Sequence, residues 1–152
     1  ILKAVLDNKI DVIATDHAPH TLEEKANLYT KAPSGGPLVQ HSMQAVIELH
    51  HRGKISLERI AEKMSHAVAD CFQIEKRGYL REGYYADLVL VNLNKPTAVN
   101  RNSLLYKCGW SPFEGTTFSS SIEHTIVSGH LVYSNGHFNE DKKGERLSFN
   151  RN

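Results

Sequence analysis

The chain has 152 residues, 18 of them basic and 17 acidic, for a formal net charge of +1 with histidine neutral. That balance favours neither nucleic acid nor an anionic membrane as partner, and no apolar run approaches the ~20 residues of a membrane span. The length suffices for one ordinary domain with a core. The two cysteines, Cys71 and Cys108, form no Cys-x-x-Cys pair, which points to a reducing compartment, the cytoplasm.

Ile1, Ala4, Val5 and Leu6 have helical spacing, closed by Asp7-Asn8. Val12-Ile13-Ala14 is a short apolar run predicted as a buried strand. It stops in Asp16-His17-Ala18-Pro19-His20. Helix followed by strand fits one step of a parallel α/β barrel. A carboxylate and an imidazole at the mouth of such a strand are where (β/α)8 enzymes keep their chemistry, and the carboxylate can bind a metal or move a proton. Spacing by itself favours a plainer reading, a capped strand end with two surface histidines.

Residues 17–36 form a polar loop with Pro19, Pro33 and the pair Gly35-Gly36. Connections of this length are usually functional or disordered, and its glycines allow backbone to approach a ligand; mobility or rearrangement is expected of it. Pro37 suits the first turn of a helix, with Leu38, Met43, Val46, Ile47 and His50 on one stripe and Gly53 at its end. A zinc site from His17, His20 and His41 has no standard ligand spacing. Ser56 is a good N-cap, with Glu58 in the first turn. Leu57, Ile60, Ala61 and Met64 form that helix's apolar face, interrupted at Ser65-His66, and Ala67, Val68, Cys71 and Phe72 start another, with Cys71 expected as a buried thiol.

From Gly78 the period changes. Leu88 to Val91 is continuous and apolar, hence expected to be buried on both faces. Residues 92–117 are irregular, and Trp110 and Phe113 are expected to pin them to the body. Ile122 to Val127 alternates as a half-buried strand does. Ser128-Gly129 and Asn135-Gly136 read as tight turns around a return strand at Leu131 to Tyr133, followed by a short strand at His137-Phe138. The last residues are charged; Leu147 and Phe149 can dock back.

The run Ile13-Ala14-Thr15-Asp16-His17-Ala18-Pro19-His20-Thr21-Leu22-Glu23-Glu24-Lys25, continued by Lys31-Ala32-Pro33-Ser34-Gly35-Gly36-Pro37, resembles the signature around the last barrel strand of dihydroorotases, in the amidohydrolase superfamily. Gly78-Tyr79-Leu80 through Asp87-Leu88-Val89 resembles the segment that returns to their small β domain, and Ser111-Pro112-Phe113-Glu114-Gly115 a further family stretch. The resemblance implies an α/β fold: the C-terminal part of an amidohydrolase (β/α)8 barrel in residues 1–77, strands of the small β subdomain in residues 78–138, and a polar tail in residues 139–152. A complete barrel needs about 250 residues, so a truncated chain, cut from a longer protein, is expected.

The same resemblance implies reversible hydrolysis of (S)-dihydroorotate to N-carbamoyl-L-aspartate, in pyrimidine biosynthesis, at a mononuclear or binuclear zinc site. Asp16 matches the catalytic, metal-binding aspartate. His20 matches the histidine that contacts a substrate carboxylate. Ser34 and Gly35 match the pair whose backbone lies against the substrate ring, although Ser34 stands where the family more often has an apolar residue. His17 matches no ligand, and a hydrogen-bonding role in the loop is expected of it. The family's His-x-His, bridging lysine, later histidines and substrate-clamping base are absent, so this stretch alone is expected to be inactive and free of zinc. Expected partners are the small-molecule substrate, a second copy in a homo-oligomer, or aspartate carbamoyltransferase. Rival readings are a hydantoinase or allantoinase, against which Ala18-Pro19-His20 argues, a non-catalytic scaffolding homologue, and a stand-alone binding module.

Overall fold

The computed structural model describes residues 1–151. Its first half is helical. α1 (Leu2–Leu6) precedes an extended stretch, α2 (Leu22–Lys25) lies within the long loop, and a 3-10 turn at Val39–His41 leads into α3 (Ser42–His51). α4 (Leu57–Ala61), a π-helical turn at Glu62–His66 and α5 (Ala67–Phe72) follow without a break. Ser56 caps α4 as its sequence predicts, its hydroxyl accepting from the Arg59 amide at 3.2 Å. The interruption at Ser65-His66 is the π turn, which absorbs a shift in the apolar stripe without ending the helix. α3 starts later than Pro37, because the 3-10 turn intervenes; Pro37 itself is fully buried.

α1, α3 and α4 converge on a core of Val5, Ile47, Ile55 and Ile60. Ile10 and Ile13 pack on it from the stretch that leads to Asp16, and Val91 and Leu93 from the β half. Burial of such side chains is worth about 1.5–3 kcal/mol each, so the approach to Asp16 is anchored by hydrophobic contact. It is not anchored by a sheet. The expected strand at Val12 to Ala14 does not form: Ile13 N donates to the Lys63 carbonyl at 3.0 Å, and the nearest bridge is a single parallel pair, His17 with Gly36. A parallel strand needs parallel neighbours for its ladder, and none is supplied by the described residues.

The second half is a four-stranded antiparallel sheet in the order β1 (Leu88–Asn92), β4 (Ser121–Val127), β5 (His130–Ser134), β6 (His137–Phe138), with a two-residue pairing of β2 (Thr97–Ala98) and β3 (Thr117–Phe118) beside it. Ser128 and Gly129 (φ 51° and 77°) turn β4 into β5, and Asn135 and Gly136 (φ 46° and 91°) turn β5 into β6, the left-handed pairs that two-residue hairpins need. Asp87 fastens the first hairpin: its carboxylate accepts from the Ser128 amide at 2.7 Å and pairs with Arg77, whose guanidinium lies over the Tyr85 ring.

Two expectations of burial fail here. Val89 and Leu90 are 41% and 46% exposed, because β1 is an edge strand with one antiparallel neighbour, not a doubly covered parallel strand. Cys71 is exposed: α5 turns its core side through Ala69, and Cys71 points elsewhere. The tail does dock, Phe149 bridging Ile74 and the Glu75 amide donating to the Ser148 carbonyl at 3.0 Å. No helix among the described residues is long and apolar enough to cross a membrane.

Candidate active site around Asp16 and its loop

Asp16 ends the extended stretch in the left-handed region, at φ 45°. Asp and Asn adopt that conformation more readily than other residues with a side chain. Its carboxylate-bearing side chain is exposed. The next residue closes the loop. His17 Nδ1 accepts from the amides of Leu38 (3.2 Å) and Val39 (3.3 Å), so the ring proton sits on Nε2. His17 is therefore a loop fastener, as its family position implies. The Ala18 amide donates to the Gly36 carbonyl at 3.1 Å, drawing residues 17–18 against residues 35–36.

Gly35 lies at that contact with φ 87°, and a Cβ there would come 2.7 Å from the Ala18 Cβ. A left-handed backbone and a close approach both call for glycine at this point. Ser34 and Gly35 are exposed. His20 stands at the other end of the turn. Its carbonyl accepts from Trp110 Nε1 at 2.7 Å, and Trp110 also lies against Gly36. The indole thus ties His20 and the glycine pair to a loop ninety residues downstream. The pinning expected of Trp110 is present, and Phe113 packs edge-on against Phe118 and His41. The loop is not bare: Thr21 and Glu24 form a capping box that starts α2. The Thr21 amide, helped by its hydroxyl and by His20, holds the Glu24 carboxyl below the usual carboxylate range. His20 Nδ1 is 3.7 Å from that carboxylate.

Three contributors were not singled out by the sequence. Lys25 Nζ donates to the carbonyls of Pro33 (2.7 Å) and Gly35 (3.0 Å). Gln40 braces residues 103–105 through its side chain, and its amide donates to the Tyr106 hydroxyl at 3.0 Å. Tyr106 packs beside His17, with ring centroids 5.4 Å apart. Lys25 lies inside the quoted signature; Gln40 and Tyr106 are joined only by the fold, across more than sixty residues.

The structure does not gather a metal centre. Among the described residues no group of three His, Cys, Asp or Glu side chains is placed to hold an ion. His41, the third member of the conceivable histidine set, is buried at 3% exposure between Tyr106, Phe113 and Phe118. A catalytic zinc needs about three protein ligands; Asp16 offers one. An open pocket of about 460 Å³ lies behind His17, lined by Pro19, Val39, Leu105, Tyr106 and Cys108, and a groove of about 780 Å³ runs between α3 and the sheet. Neither contains Asp16, His20, Ser34 or Gly35.

Burial lowers the His41 pKa from its ordinary 6.5, while burial pushes the Tyr106 phenol up. The unfolded chain therefore takes a proton on His41 near pH 6.5 that the folded chain refuses, and stability falls as pH drops below that value. One proton sets the slope, at most about 1.4 kcal/mol per pH unit. Tyr106 acts only at the alkaline end, and Glu24, Glu58 and Glu123, all lowered, act below 4.5. Urea midpoints measured between pH 7.5 and 5.5 are expected to fall, and to fall less in His41→Phe; an unchanged slope in that variant would assign the loss elsewhere.

The family described as the amidohydrolase family matches residues 1–132. The dihydroorotase of Halobacterium salinarum is 40% identical over 115 residues, 76% of this chain and 27% of its own length. That of Clostridioides difficile is 35% identical over 135 residues, 88% of this chain and 31% of its own. Among solved structures, a D-hydantoinase from Thermus sp. superposes with a TM-score of 0.84 at 23% identity, over 95% of this chain and 32% of that one. An L-hydantoinase from Arthrobacter aurescens gives 0.84 at 27% identity, over 90% and 32%. The chain thus spans under a third of the length of these two curated relatives.

Proposed function

The chain belongs to the amidohydrolase family, and from that premise we propose that it is the portion of a dihydroorotase that supplies the proton-carrying acid and the substrate-facing loop. The observation that carries this reading is the arrangement of Asp16 and His20: a carboxylate presented in a left-handed conformation at the end of an extended stretch, four residues before an imidazole whose backbone is tied down by Trp110. The reaction needs both. Water adds to the ring carbonyl carbon, the C–N bond breaks, and the departing nitrogen must gain the proton that the water loses. A carboxylate at the Asp16 position accepts that proton and returns it to nitrogen. Dihydroorotate also carries a carboxylate that hydantoins lack, and His20 is the side chain of this loop suited to meet it.

The sequence relatives are dihydroorotases and the structural neighbours hydantoinases. The former weigh more here, since identity is higher and the Ala18-Pro19-His20 step bears on substrate charge. In this reading Asp16 is also one ligand of a zinc ion. Among the described residues no further His, Cys, Asp or Glu side chains are grouped with Asp16 to complete such a site, and the isolated chain is expected to hold no zinc and to turn over nothing. The site belongs to pyrimidine biosynthesis, in the cytoplasm.

The test is turnover of (S)-dihydroorotate by the polypeptide that carries this segment in its natural context, with a 5-substituted hydantoin and allantoin run in parallel. A preference for dihydroorotate is the expected result. A preference for the uncharged rings would move the assignment to the hydantoinases, and no turnover of any of them would favour a scaffolding homologue.

A further inference from the structure

The stretch Pro33-Ser34-Gly35, half-buried at Pro33 and exposed at Ser34 and Gly35, is held by one cation. Lys25 sits at the last position of α2, and its half-buried side chain reaches back across the loop so that Nζ donates to the carbonyls on either side of Ser34, Pro33 at 2.7 Å and Gly35 at 3.0 Å. α2 has four residues and gains its definition from the Thr21–Glu24 capping box, so the cap, the helix and the lysine act in series. Gly35 cannot hold the loop by packing, since it has no side chain, and its left-handed backbone is one that glycine leaves as easily as it enters. Hydrogen bonds from an ammonium are shorter and stronger than neutral ones. Two of them on alternate carbonyls fix the peptide units between.

We infer that Lys25 is a positioning residue: it sets the Ser34–Gly35 backbone in the conformation that receives the substrate ring. The inference rests on the dihydroorotase reading above. Lys25 touches neither substrate nor the reacting atoms; its effect is on how much of the loop's ordering must be supplied by the ligand on binding. Loss of the ammonium therefore weakens binding in ground state and transition state alike, which raises KM and leaves kcat nearly unchanged.

The experiment is steady-state hydrolysis of dihydroorotate by the full-length protein, its Lys25→Met variant and its Lys25→Arg variant, with urea midpoints for each. Lys25→Met keeps the length and apolar stem and removes the donors; KM is expected to rise about tenfold or more with kcat within about threefold, the loss that one or two charge-assisted hydrogen bonds represent. Lys25→Arg keeps a cationic donor and is expected to recover most of the affinity. Urea midpoints should stay together, because the loop is remote from the Val5–Ile47–Ile60 core. An unchanged KM in Lys25→Met overturns the inference, as does an arginine variant no better than methionine, or a parallel fall of kcat and stability. A wild-type protein without dihydroorotate turnover would instead overturn the functional reading itself, and this inference with it.

Discussion

Asp16→Asn in the full-length protein is expected to lower kcat for dihydroorotate by about 10²–10⁴, the range for removal of a positioned general acid–base group, with the fold intact. The backbone makes asparagine the informative substitution. Asp16 is left-handed at φ 45°, and asparagine is the other non-glycine residue that visits this region routinely. Alanine there would add backbone strain of about 1–2 kcal/mol and would confuse a structural loss with a chemical one. Asparagine preserves size, φ and the capacity to accept a hydrogen bond, and loses the basicity and the negative charge with which Asp16 would also hold a zinc ion. The measurement pairs kcat with the urea midpoint and the zinc content. A full loss of turnover at an unchanged midpoint and unchanged zinc content supports proton transfer at this side chain, whereas a parallel loss of zinc assigns the effect to metal binding. Wild-type turnover in Asp16→Asn would remove Asp16 from the chemistry and leave it a left-handed loop residue.

The same loop shows what could be read from residues alone. Local chemistry was legible where it is self-contained. Ser56 caps α4 because a hydroxyl and an amide three residues on need nothing else. Ser128-Gly129 and Asn135-Gly136 turn because their backbones accept positive φ. The break at Ser65-His66 registers as a π turn because an apolar stripe that slips by one residue must be absorbed somewhere. Illegible features depend on what lies across the fold. Val12 to Ala14 has the composition of a strand and no ladder partner. Leu88 to Val91 reads as a doubly buried strand, but the number of neighbours decides burial, and β1 has one. His41 reads as a conceivable zinc ligand, and in the fold three aromatic rings close over it instead.

The site divides along the same line. Gly35 is accounted for by its φ and its contact with Ala18, without reference to any ligand. The proposed roles of Asp16, His20 and Ser34 come from the family signature, and the fold adds the reason the loop can hold them: three fasteners, His17, Lys25 and Trp110, each binding backbone groups rather than side chains. Backbone partners leave no trace in residue identity, so the role of Lys25 is not legible in the motif that contains it.

Gly78→Ala is expected to be among the most damaging single-methyl changes in the helical half, destabilising the chain by roughly 2–5 kcal/mol as the sum of left-handed strain and overpacking. Gly78 turns the chain back over the π turn and α5 at φ 79°, and a Cβ placed on it would lie 2.4 Å from the Ala69 Cβ and 3.0 Å from the Ser65 carbonyl oxygen. Ala69 is itself 4% exposed and flanks the helix end that Ile74 closes through the Ala69 carbonyl, so it has little room to yield. Against a total stability of about 5–15 kcal/mol for a domain, such a loss should be plain in a urea melt. The two causes separate in a double mutant. Ala69→Gly removes the methyl that the added Cβ would strike, at a helix-propensity cost of about 1 kcal/mol, but relieves neither the φ strain nor the Ser65 contact. Gly78→Ala combined with Ala69→Gly should therefore be more stable than the sum of the single changes predicts, a coupling expected only between touching residues, while remaining below the wild type. Equal urea midpoints for Gly78→Ala and the wild type would mean that Gly78 does not press against Ala69 and the Ser65 carbonyl.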